Sequence, residues 1–164
     1  MTLSVHPLAA ASGTQRFRAV RVDQQIASVL GASYVRVGRD GLLMDTFLRR
    51  SLAAVGARPG MMPAGLNTLE VTRGLEDLAA RLVRSFVDPP SVRPFATPLM
   101  ERLRTIGFRR SDIPLLREIF VSVMSELSGS QWTDRLASEW RLAIDLLVAL
   151  MTELANPAAA PAAR

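Results

Sequence analysis

Apolar positions through the middle of the chain recur three and four residues apart, and glycines, prolines and capping residues cut them into successive helical segments. A first helix is predicted over Arg16–Leu30, with Phe17, Val20, Val22, Ile26, Val29 and Leu30 as its apolar positions and Gly31 as its stop. Ser33–Val37 alternates like a strand but is too short to build a sheet alone, so it reads as an extended connector. Asp40-Gly41 opens a second helix through Ala54, whose Leu43, Phe47, Leu48 and Leu52 share one face. The stretch from Gly56 to Gly65, holding Pro59, Gly60 and Pro63, is punctuated as a loop. Asn67 with Glu70 behind it matches a capping box. The helix it starts, Thr68–Val87, sets Val71, Leu75, Leu78, Leu82 and Phe86 along one stripe before Asp88-Pro89-Pro90 ends it.

Thr97-Pro98 has the form of a helix start, an N-cap followed by proline at the first helical position. The short helix behind it stops at Gly107. Ser111 is placed to cap a helix that buries Leu116, Ile119, Phe120, Val123, Met124 and Leu127 and ends at Gly129. Thr133-Asp134 starts a final long helix to Leu154, buried through Leu136, Trp140, Ala143, Ile144, Leu147, Val148 and Met151. The pattern therefore predicts an all-α domain of about six helices over residues 15–155. Residues 1–14 form an unpatterned N-terminus and residues 156–164 an Ala/Pro-rich tail, and both read as flexible ends.

Composition narrows the chemistry. With no cysteine there is no disulfide, thiolate metal site or cysteine nucleophile, and the one histidine, His6, falls in the N-terminal stretch. The net charge is +5, yet all 20 basic residues are arginines scattered among 15 acids rather than gathered in a stripe. That distribution argues against a nucleic-acid surface and for solvated helix faces. Leu142–Met151, the most apolar run, is interrupted by Asp145 and too short to span a bilayer. No signal-peptide pattern precedes the domain, so a cytoplasmic protein without membrane attachment is expected. No serine has a histidine to pair with, no glycine-rich phosphate loop occurs and no acids cluster at metal spacing, so an enzyme is not expected.

The last third of the chain resembles bacterial globins. Leu127, Gly129, Thr133, Asp134 and Trp140 fall at the spacing those proteins use between their last two helices. Ile106-Gly107-Phe108 looks like the step that follows their proximal-histidine helix. The likeness extends over roughly residues 40–154 and is most specific from Gly107 to Leu154. It implies a globin-like helical sandwich. It also exposes what has changed, because Leu103 stands where the proximal histidine is expected. No phenylalanine lies between Phe47 and Phe86 to wedge against a porphyrin; Val71 and Leu48 take the distal positions, and Glu139 stands before Trp140.

Haem iron is ordinarily held by His, Cys or Tyr, or by a Met/His pair. The body of this chain offers Met100 as a fallback ligand and Tyr34 as a second candidate. The resemblance therefore implies a haem-free regulatory or sensor-like module in signalling, with a haem globin using a non-histidine axial ligand as the alternative. A third reading, the helical ligand domain of a transcription regulator, lacks a preceding helix-turn-helix. In the globin frame, Phe47, Leu48, Val71, Leu75, Leu78, Leu99, Leu103 and Phe108 line a pocket whose apolar walls would take a fatty-acid-like or other apolar molecule. In globin-type sensors the last two helices form a homodimer, which here points to Met124, Leu142, Leu146 and Leu150. Partners are thus a second copy, an apolar small molecule or a signalling protein.

Overall fold

The computed structural model describes residues 24–56, 58–62, 65, 67–86 and 93–155, with residues 85, 93, 96 and 150–155 described by backbone alone. Within them the chain is all-α, with no strand: α1 (Gln24–Gly38), α2 (Leu42–Val55), α3 (Thr68–Ser85), α4 (Arg93–Ile106), α5 (Ile113–Ser128) and α6 (Asp134–Ala155). Two 3-10 turns, Arg110–Asp112 and Gly129–Gln131, precede α5 and α6. The expected ends at 1–14 and 156–164, and the first part of the expected first helix, lie outside the described residues.

Helix α1 departs from expectation. It runs through Gly31 and through Ser33–Val37, so the strand-like alternation there is a coincidence of composition. Its buried residues Ala27, Leu30, Tyr34 and Val37 are spaced three and four apart, and burying that stripe outweighs the single glycine. Val29, expected inside, is 50% exposed. Helix α2 begins where the Asp40-Gly41 signal placed it, with Gly41 in the left-handed region at φ 66°. Asn67 caps α3 as expected, its Oδ1 accepting from the Leu69 amide at 3.0 Å.

Helix α4 starts before Thr97-Pro98 and carries Pro98 in its interior. Pro98 cannot donate to the carbonyl of Pro94, but both residues are exposed, so water can take that bond. A Schellman ending closes α4: the Phe108 amide donates to Leu103 O and the Gly107 amide to Arg104 O, both at 3.0 Å. Ser111 lies within the 3-10 turn rather than capping α5. Gly129 ends α5, and Thr133 Oγ1 accepts from the Leu136 amide at 3.1 Å to cap α6, as expected.

Helix α1 packs against α2, α3, α5 and α6, α2 lies most extensively along α5, and α3 along α4. Trp140, only 1% exposed, sits among them in the core. The loop after α2 is clamped to the α4–α5 corner: Arg58 pairs with Asp112 and donates to Gly107 O at 2.9 Å, while the Met62 amide donates to Ile106 O at 2.8 Å.

Candidate functional site

The packing of these helices leaves a cavity of about 140 Å³, partly open to solvent. Every helix contributes to its wall. Tyr34 comes from α1, Met44 and Phe47 from α2, and Leu75, Ala79, Leu82 and Val83 from α3, with Phe86 at its end. Leu99, Met100 and Leu103 come from α4, Ile113, Leu116, Arg117 and Phe120 from α5, and Trp140, Ile144, Leu147 and Val148 from α6. The surface these residues present to the cavity is entirely apolar.

Five of the wall residues are aromatic and brace one another. Phe120 meets Trp140 edge to face at 5.3 Å and Phe47 at 5.8 Å between ring centroids. Phe86 and Tyr34 approach Trp140 at 6.3 and 6.4 Å. Such offset and T-shaped pairs fix ring orientation beyond what area burial alone does. Polar atoms on these rings are turned to protein partners. Trp140 Nε1 donates to Ser33 Oγ at 3.1 Å, and Ser33 Oγ donates in turn to Leu30 O at 2.8 Å. Tyr34 Oη donates to the backbone carbonyl of Glu76 at 3.4 Å. Burial, with the nearby Glu76 charge, pushes the Tyr34 phenol far above its usual pKa, so it stays protonated.

Arg117 is the charged residue in the wall, and its head is held by acids. Nη1 lies 2.5 and 2.7 Å from the two oxygens of Asp145, and Nε lies 2.9 Å from Glu118. Arg141 approaches the same Glu118 carboxylate at 3.0 Å, so the four side chains tie α5 to α6 with no net charge. Burial pushes Glu118 upward in pKa, but the hydrogen bonds from Arg141 and Arg117 win and hold it below the usual value.

Of the residues expected to line a pocket, Phe47, Leu75, Leu99 and Leu103 do so, and Met100 joins them. Leu48, Val71 and Phe108 are instead buried in the core away from the cavity, and Leu78 is half-buried outside its wall. Leu48, Val71 and Leu78 belong to the same apolar stripes as the wall residues, and period alone does not say which members meet a neighbour and which meet a void. Reading Ser33–Val37 as a connector keeps Tyr34 out of the wall. Phe86, Phe120 and Trp140 carried only the signal of ordinary core residues. Among the proposed dimer residues, Met124 is fully buried and cannot reach a partner, Leu142 is 54% exposed and Leu146 is half-buried. The Leu150 side chain lies outside what is described.

Among the described residues there is no group of three or more His, Cys, Asp or Glu placed to hold a metal ion, and no helix long and apolar enough to cross a membrane. Comparison with protein-family models, with curated proteins and with solved structures gives no match.

Proposed function

We propose that this chain is a haem-free, globin-like regulatory or interaction module that works by binding an apolar small molecule between its helices, and that it pairs with a second copy or a signalling protein. The observation that carries the reading is the cavity of about 140 Å³, whose exposed surface is entirely apolar and whose wall includes five aromatic side chains. An engineered cavity of about 150 Å³ lined by similar side chains stays dry and accepts benzene. A guest on the scale of one aromatic ring therefore fits, and water gains no partners there.

The globin resemblance also brings haem into consideration, and the residues lining this cavity do not fit it. Met100 is a lone thioether, the Tyr34 phenol is held protonated and bonded to Glu76 O, and no imidazole stands in the wall.

The expected result is that benzene raises the thermal midpoint with saturation, reaching about 2.7 kcal/mol of stabilisation at a hundredfold excess over Kd. Leu103→Trp, which fills the cavity from α4, abolishes the shift while the helical circular dichroism is kept. Hemin gives no stoichiometric Soret band. A stoichiometric band that Met100→Leu removes replaces this reading with a haem globin.

A further inference from the structure

We infer that the cavity selects neutral guests and rejects carboxylates, so that its ligand is an uncharged hydrocarbon-like or monocyclic aromatic molecule rather than a fatty acid. This rests on the proposed pocket and names the class of molecule it takes. An acid whose carboxylate lies against an apolar wall needs a partner for its charge, and an arginine in the wall is where one would look.

Arg117 is such an arginine, but its Nη1 and Nε are already held by acids. Asp145 accepts from its Nη1 through both oxygens, and Glu118 accepts from its Nε at 2.9 Å. The fourth member, Arg141, is itself turned to Glu118 at 3.0 Å. A carboxylate arriving at Arg117 therefore meets two negative charges together with the positive one. The remaining handles are also committed: Trp140 Nε1 to Ser33 Oγ, and Tyr34 Oη to the Glu76 carbonyl. The wall consequently presents no polar surface to a guest. A hydrocarbon loses nothing on entering such a site, whereas an acid gives up, without replacement, the part of its hydration that the apolar wall displaces.

Toluene and benzoate, near-isosteres that differ in charge, test this in Trp132→Phe protein, where Trp140 in the cavity wall is the sole indole reporter. At neutral pH toluene changes Trp140 fluorescence with saturation, and benzoate competes at least about tenfold more weakly. Asp145 is 54% exposed, so Asp145→Asn keeps the fold while releasing Arg117 from its bidentate partner. In that variant the benzoate-to-toluene affinity ratio rises. Equal binding of toluene and benzoate overturns the selectivity and leaves the pocket standing. Binding of neither overturns the pocket itself, and the selectivity with it. A ratio unmoved by Asp145→Asn overturns the part given to Arg117.

Discussion

Two glycines show how little one residue letter says without its surroundings. Gly31 lies inside α1, and a Cβ built on it meets nothing within 4 Å. Gly107 closes α4 at φ +105°, and a Cβ there stands 2.6 Å from Gly60 O and 2.8 Å from Met61 Cα. Glycine costs a helix interior about 0.5–1 kcal/mol relative to alanine, through the freedom its unfolded chain must give up. Gly31→Ala is therefore expected to raise unfolding stability by about that amount in a urea melt. Gly107→Ala does the reverse, losing more than about 1 kcal/mol, because it meets both a left-handed backbone and a clash with main chain. If Gly31→Ala destabilises instead, α1 is not a continuous helix at that point. Both glycines read as stops from the sequence. Only the buried stripe of Leu30, Tyr34 and Val37 on either side of Gly31 shows which one ends a helix.

At the scale of elements, local signals were legible where they were chemically self-contained. Asn67, Gly107, Gly129 and Thr133 each act on backbone groups a few residues away, so their roles could be read in place. Thr97-Pro98 misled because the same pair is tolerated mid-helix when the freed carbonyl faces water. The clamp between Arg58 and Asp112 was not legible at all, since it joins residues far apart in sequence. It holds the loop between α2 and α3 to the α4–α5 corner, with the Asp112 side chain only 11% exposed.

Hydrogen bonding from Arg58 holds the Asp112 carboxyl below the usual value against the cost of burial, with the Arg109 amide adding to it at 2.7 Å. A carboxylate depressed on folding stabilises the chain above its unfolded pKa of about 3.9, and that contribution disappears as pH falls through the folded value. The thermal midpoint of the wild type is therefore expected to drop below about pH 4. Asp112→Asn starts lower at neutral pH and falls less steeply in acid. Parallel curves for the two proteins would remove Asp112 from the acid response.

For the whole molecule, the all-α class follows from periodicity, because four of the six described helices, α2, α3, α5 and α6, bury a stripe that the spacing outlines, α1 is outlined in part, and α4 is marked by its start and stop signals alone. The cavity was legible only in its α2, α3 and α4 wall. Its aromatic lining is assembled from Tyr34, Phe47, Phe86, Phe120 and Trp140, which spacing along one helix cannot bring together. The proposed pairing of two copies belongs to this scale as well. With Met124 inside, the large apolar residues that α5 and α6 leave exposed among those described are Leu142, 54% exposed, and Leu115, 42% exposed. Leu142 lies three residues before Asp145 and Leu115 three before Glu118, so each shares its side of the helix with a neutralised charge. A stable interface covers about 800 Å² on each partner, more than two leucines supply, so the pairing is expected to be weak and concentration-dependent. Light scattering across a dilution series should show the mass rising from one chain toward two. Leu142→Arg, which replaces that exposed leucine with a cation, should hold the mass at one chain throughout. A wild-type mass that stays at one chain at every concentration removes self-association from the proposed function and leaves ligand binding to stand or fall on the benzene and toluene measurements.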